Sequence, residues 1–389
     1  MQFELITADD SFVALREEWN RLAGDDPLAS WEWRYAWWQV YGHRRALAVG
    51  VVRRDDQILG IAPCYSDHGP IQGQKLCWLG SGKVCTDYQR FLIDPRLTPT
   101  QQAIVIEQLV DALSGKVARR AQQDLWDLDG VLPESPATLS LIESLRRRGF
   151  MIHAESVESS WIVDLPRDWE TFVAGAKRAI RRKINKAQRR AASTDVQYFT
   201  ATTPAEVAAF WPEFVRLHEA RFSIKVSDGG CFADPQFAAF LPVAVQRLSE
   251  RGAIRLHWCE VGGRAISTQL YLLGGRTASM YQSGFDPKFA SLEPGHLLYS
   301  RVFRDLIEAG YTRLDFLRGN ESYKADWNAV SVPLSRLYCV PPRRTSQLRH
   351  QTYQFARSLK RAAKQKFGRR ESDAASLAGD AESESSVNS

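Results

Sequence analysis

Apolar positions along the chain fall into two successive runs of strand and helix patterns. In the first, Phe3–Ile6 reads as a strand. Phe12, Leu15, Trp19 and Leu22 then recur at 3,4,3 spacing, which predicts a helix from Ser11 to about Ala23 with Ser11 as its N-cap. An aromatic-rich helix, Trp31–Tyr41, follows. Leu47–Val52 and Ile58–Tyr65 flank Arg53-Arg54-Asp55-Asp56-Gln57, the pattern of a hairpin with a polar turn. A strand near Leu76–Leu79, a helix over about 100–114, a strand Asp124–Asp129 and a helix over about 137–148 complete this run.

The second run repeats that order. A hairpin is predicted from Ile254–Val261 and Ala265–Leu273 around Gly262-Gly263-Arg264, then a strand Ser279–Phe285, a helix His296–Ala309 and a strand Arg313–Leu317. In both Asp124–Gly130 and Arg313–Gly319, a short apolar strand carrying an acid follows a helix and ends at a glycine. The repetition favours duplication over coincidence. The expected organisation is α/β with mixed sheets in two related halves, 1–160 and 161–340. A basic helical extension over 341–370 and a Ser/Ala/Glu/Asp-rich tail over 371–389, read as disordered, follow.

Composition narrows the class. The 389 residues are 44% hydrophobic and 25% charged, with twelve Trp, which suits a soluble chain with ring-rich cores. No apolar run reaches the roughly 18–20 residues of a membrane helix, and MQFELITADD lacks a signal-peptide pattern, so a cytoplasmic location is expected. The six cysteines form no CxxC pair and read as reduced thiols. No metal is expected, because His218-Glu219 is followed by Phe222 where HExxH needs histidine. Gly80-Ser81-Gly82-Lys83 lacks the rest of a P-loop, and no GxSxG elbow occurs. The net charge of +6 favours an anionic partner, be it a phosphorylated cofactor, nucleic acid or acidic lipid.

The chemistry concentrates in GFDPKFASLEPGHLLYSRVFRDLIEAGYTRLDFLRGNESYKADW, residues 284–327. Pro294-Gly295 precedes the helix at His296 and Leu297, so bare amides at its N-terminus are expected to meet an anion. After the next strand, Asp315, Arg318, Glu321, Tyr323, Lys324 and Trp327 cluster at one strand end. Acyl transfer needs a base for the nucleophile and a proton donor for the leaving thiolate. Glu321 or Asp315 suits the first role, Tyr323 the second, and Lys324 an electrostatic partner. Ordinary Asp315–Arg318 and Glu321–Lys324 salt bridges are the structural alternative.

The run GFDP…PG-LL…AG…LDFLRG-E-YK-W resembles the acetyltransferase domain of CelD-type proteins, a GNAT-superfamily group named for cellulose biosynthesis. Phe12–Leu15, Glu18-Trp19-Asn20, Trp37-Trp38 and Gly60-Ile61-Ala62-Pro63 resemble its opening half. The group is similar in turn to the FemABX peptidoglycan aminoacyltransferases. The resemblance implies a tandem GNAT-like (acyl-CoA N-acyltransferase) fold, with acetyl-CoA or another acyl-CoA as donor and Pro294, Gly295, His296 and Leu297 at the cofactor. It also implies acyl transfer to an amine or hydroxyl of a sugar, polysaccharide precursor or other envelope-related acceptor. One departure stands out: Ser291-Leu292-Glu293-Pro294-Gly295-His296 keeps one glycine of the usual pyrophosphate loop and puts Glu293 where phosphates belong.

Eight cations between Lys177 and Arg190 leave one narrow apolar stripe, Ile180, Ile184, Ala187 and Ala191, so this helix is expected to show a positive outer face. Arg178, Arg181 and Arg182, with Arg318 and Trp327, are the expected substrate contacts. Trp31, Trp33, Trp37 and Trp38 read as core rather than a sugar-stacking cleft, and His218 as a packed helix residue. Residues 347–367 predict a basic helix, packed on the domain in preference to a membrane surface. Two further functions remain open: aminoacyl transfer from tRNA, which the basic helix favours, and a non-catalytic accessory role in a polysaccharide-synthesis complex at the membrane.

Overall fold

The computed structural model describes residues 1–114, 123–223, 230–319, 321 and 323–359. Its second half is built on a seven-stranded mixed sheet. In spatial order the strands are Gln197–Ala201, Ile254–Val261, Arg264–Gly274, Thr277–Phe285, Arg313–Asp315, Ser160–Asp164 and Val330–Val332. The first three hydrogen-bonded steps are antiparallel. Thr277–Phe285 and Arg313–Asp315 then run parallel, and their pairing lasts only from Thr277↔Arg313 to Ser279↔Asp315. Beyond that point the pairing stops, and residues 280–283 and 316–319 line a gap between the two strands.

The first half repeats this plan with a break. Val49–Arg54 and Gln57–Ala62 pair in one sheet, while Ala46–Leu47 and Cys64–Gly69 continue into another. Pro63 stands at the break and has no N–H to give the ladder, although its carbonyl accepts from the Leu79 amide at 2.8 Å. Gly73–Trp78 and Leu125–Val131 form the corresponding parallel pair, again over three positions. Here the gap is closed by the chain itself. Gln89 donates its amide to Gly130 O at 2.9 Å and its side-chain nitrogen to Asp129 O at 3.1 Å. Buried Arg34 holds Leu79 O and the Gln89 side chain, and Trp33 Nε1 reaches Thr86 Oγ1 at 2.9 Å.

The halves exchange chain. Ser335–Val340, in the stretch expected to end the second half, pairs with Leu125–Val131 and Met151–Ser156 in the sheet of the first. The helix Trp31–Tyr41, N-capped by Ser30, lies along helix Pro235–Ser249 of the second half. Trp33 meets Phe240 and Tyr281 edge-on at 4.9 and 5.0 Å. Trp31, Trp33 and Trp37 are buried, as expected of core rings. The helix expected from Ser11 is two helices, Asp9–Ala14 and Arg16–Ala23, that meet at Leu15, and the first is preceded by Ala8 in place of a Ser11 cap. Helices Pro99–Ser114 and Pro136–Arg147, expected over about 100–114 and 137–148, pack on each other in the first half. The disordered tail expected over 371–389 lies outside the described residues.

Candidate functional site

Helix Pro294–Glu308 turns its Leu297, Leu298, Val302, Leu306 and Ile307 stripe into the core. Its start is made by Glu293 in the left-handed region, φ 52°, which bends the chain sharply into Pro294. Both His296 and Leu297 amides bond to Glu293 O, at 2.9 and 3.2 Å. Among the described residues, the Gly295 N–H has no such partner, and a Cβ at Gly295 would meet open space. The helix thus offers one bare amide and its positive end to the gap beyond the parallel pairing.

That gap holds two adjoining cavities. One, of about 330 Å³, is lined by Pro294, Gly295, His296, Gln269 and Tyr299. The other, of about 450 Å³, is lined by Met280–Ser283, Phe316–Gly319, Glu321 and Lys324. Arg221, Ser283 and Tyr323 line both. A β-bulge widens the wall: Leu270 pairs with Gln282 and Tyr271 with Met280, so Tyr281 has no partner in that ladder.

Of the residues the sequence nominates, Pro294, Gly295, His296, Arg318, Glu321, Tyr323 and Lys324 line this cleft. Leu297 is a core side chain with no surface to offer a cofactor. Trp327, nominated as a substrate contact, is 1% exposed and stacks on Phe303 at 4.8 Å, so burial removes it from the site. Asp315 lies on the far side of the strand end and lines a separate cavity near Arg90. It accepts from Tyr88 Oη at 2.6 Å, Ser160 Oγ at 2.9 Å and the Leu317 amide at 2.7 Å. Burial nonetheless keeps its carboxyl above the ordinary range. The Asp315–Arg318 bridge does not form. Arg318 instead crosses to the first half, where it pairs with Asp87, with Asp129 at 3.2 Å and with Thr86 O at 3.1 Å. Its guanidinium is therefore an inter-half lock with little capacity left for substrate.

Lys324 does bridge Glu321, at 2.9 Å, but its ammonium also donates to Leu317 O, Arg318 O and Gly319 O at 3.0, 3.1 and 3.4 Å. Leu317 at φ 56° and Gly319 at φ 139° curl the backbone so that these carbonyls converge. Lys324 is 2% exposed and acts as the pin of this turn, whereas the Glu321 side chain stays 47% exposed in the cleft. Burial, with the Glu321 charge adding to it, pushes the Tyr323 phenol above its ordinary range, so it is protonated at neutral pH.

Arg178, Arg181 and Arg182 are exposed on helix Arg178–Ser193 and line neither cavity. Arg181 caps the preceding short helix through Ala174 O and Ala176 O. The cations that approach the cleft are Lys186, 3.0 Å from Glu293, and Arg190 in direct contact with the same carboxylate. Burial would raise Glu293, but these two cations override it and hold the group below its usual value. The acid that spoils the phosphate loop in the sequence is neutralised in the fold.

Arg221 is the residue the motifs did not reveal. It donates to Ser283 Oγ at the junction of the two cavities. Its helix, Pro204–Phe222, lies directly on Gly284, where a Cβ would stand 2.4 Å from His218 N and Leu217 C. A glycine inside a strand pattern was the available signal of that close approach. His218 is buried against Gln282 Oε1 at 3.0 Å and held neutral, pushed down to about 4 by desolvation.

Residues 176–325 match the family model described as an acetyltransferase (GNAT) domain. A search of curated proteins finds no match. Among solved structures, FemX aligns with a TM-score of 0.59 at 12% identity, covering 86% of this chain and 97% of that one. A conserved protein of unknown function from Bacteroides thetaiotaomicron gives 0.52 at 13% identity, over 87% and 100%. The C-terminal domain assigned to a lysylphosphatidylglycerol synthetase of Agrobacterium fabrum gives 0.51 at 12% identity, over 87% and 96%. At such identities the likeness is one of fold. Residues 176–325 therefore carry the likeness to a GNAT acetyltransferase domain, within a chain whose fold as a whole aligns with that of FemX.

Proposed function

We propose that the protein transfers an acyl group from an acyl-coenzyme A thioester to an amine or hydroxyl acceptor in the cleft between strands Thr277–Phe285 and Arg313–Asp315. The observation that carries this reading is that the cavity at the Gly295 amide and the cavity at Glu321 share Arg221, Ser283 and Tyr323 as walls. Coenzyme phosphates would lie at the start of helix Pro294–Glu308, where the bare amide and the helix dipole favour negative charge. The thioester carbonyl would lie along the bulged wall near Tyr281 and Gln282, where a bulge leaves backbone donors outside the ladder. Glu321 takes the proton as the acceptor attacks, and Tyr323, protonated and at the junction of both cavities, returns one to the departing thiolate. No covalent enzyme intermediate is needed. A sugar or envelope-related acceptor rests on the sequence resemblance alone.

The test is a thermal melt with coenzyme A and a series of acyl-thioesters, paired with thiol release in the presence of candidate amines. Stabilisation by thioesters that Gly295→Asp abolishes, with thiol release that Glu321→Gln or Tyr323→Phe suppresses, supports the assignment. Absence of any thioester effect sinks it. A second reading, aminoacyl transfer from charged tRNA, is favoured by the positive helix Arg178–Ser193, which reaches the same cleft through Lys186, Arg190 and Glu293. Its signature is tRNA binding with a steep salt slope and no response to coenzyme A.

A further inference from the structure

The helix spanning 344–359 has two unlike faces. One docks on the first half: Ser346 Oγ donates to Asp124 at 2.8 Å, Arg357 pairs with Glu155 at 2.8 Å, and Tyr353 packs against Leu125, Tyr338 and Val340. The opposite face presents Leu348, Phe355 and Leu359 to solvent, 65%, 65% and 55% exposed. Their 7 and 4 spacing puts all three on one line along the helix. Apolar side chains this exposed are normal when scattered, but three in register on one helix form a patch. Around them the exposed positions are Arg344, neutral polar residues and Arg349, whose guanidinium reaches back to Asp124 at 3.5 Å. Between 343 and 370 the sequence holds ten Lys and Arg and no Asp or Glu.

We propose that this face is an interfacial helix that seats the protein on an anionic lipid bilayer. An apolar line on a helix whose sequence segment carries cations and no acid fits one surface chemistry: acyl chains beneath a layer of negative headgroups. The absence of any acid in the segment removes the repulsion such a surface would otherwise impose. No helix among the described residues is long and apolar enough to cross a membrane, so the contact is peripheral. The proposal does not depend on the acyl-transfer reading.

The experiment is co-sedimentation of the full chain with vesicles of pure phosphatidylcholine and with vesicles that also contain phosphatidylglycerol. The wild type is expected to sediment with the second kind only, and added salt should release it. The triple variant Leu348→Ser, Phe355→Ser and Leu359→Ser should lose binding by at least about tenfold, since each side chain loses its burial in lipid. Its melting temperature should stay that of the wild type, because none of the three is packed. Failure of the wild type to bind either vesicle overturns the proposal. So does a triple variant that binds as well as the wild type, which would move the contact to the helix Arg178–Ser193. So too does a wild-type dimer that the triple variant splits without any vesicle binding, for a second copy would then be the occupant.

Discussion

Replacing Lys324 by methionine removes an ammonium and little else, and it separates the pin of the site from its chemistry. The side chain is buried, and three carbonyls, those of Leu317, Arg318 and Gly319, converge on it within 3.4 Å. A charge-assisted bond of this kind contributes about 1.5–3 kcal/mol, and a buried carbonyl left without a donor costs on the order of 1–3 kcal/mol. The neighbouring cleft lets water recover part of that cost, so a loss of about 3–5 kcal/mol is expected. For a domain of this size the melting temperature should fall by roughly 10 °C. Glu321→Gln breaks the same ion pair from its exposed side, where the contribution is about 1 kcal/mol or less. Differential scanning fluorimetry of both variants reads the contrast directly, and thioester-induced stabilisation reports whether the turn still forms. A Lys324→Met protein that melts within about 2 °C of wild type would refute the reasoning, because the converging carbonyls would then have no need of the ammonium.

Three further outcomes follow from the geometry. Arg190→Gln should weaken acyl-thioester binding by freeing Glu293 beside the Gly295 amide, and adding Glu293→Gln should restore it; calorimetric titration of the single and double variants measures the coupling. Gly284→Ala should shift helix Pro204–Phe222 and with it Arg221, since the new Cβ would stand 2.4 Å from helix backbone atoms; a drop of several degrees in melting temperature together with lost thioester response is expected. His218 is neutral when folded, at about 4 against 6.5 unfolded, so the unfolded chain binds the extra proton in that window and stability falls as pH drops from 6.5 towards 4. The full contribution is about 3 kcal/mol, and His218→Gln should melt with a correspondingly shallower pH dependence than wild type.

Where one half alone determines an element, the sequence discloses it. The hairpin Ile254–Val261 with Arg264–Gly274 needs only alternation and a Gly-Gly turn, and helix Pro294–Glu308 needs only its apolar stripe. What depended on pairing across the halves was not legible. Ser335–Val340 carries apolar Leu337, Cys339 and Val340, but nothing in those residues says that their partners are Leu125–Val131 and Met151–Ser156. Arg318 and Asp315 invited a local pairing because they are three positions apart. The fold instead gives Arg318 to Asp87 and Asp129, and Asp315 to Tyr88 and Ser160.

The two strand-end gaps sharpen this point, because they begin from the same three-residue parallel pairing and end differently. In the first half, Arg34 and Gln89 supply the hydrogen bonds that the unpaired edges lack, and the opening becomes core. In the second, Arg221 and Lys324 donate to the carbonyls of Ser283 and Leu317 and form walls of the cleft without closing it. Backbone polarity has to be met in both halves. Whether it is met from within or from the edge decides which half keeps a cleft. Glu293 obeys the same logic on the outside: as a letter in a motif it opposes a phosphate, but Lys186 and Arg190 turn it into part of the wall. A charge reads as hostile or harmless according to partners that stand about a hundred residues away in sequence.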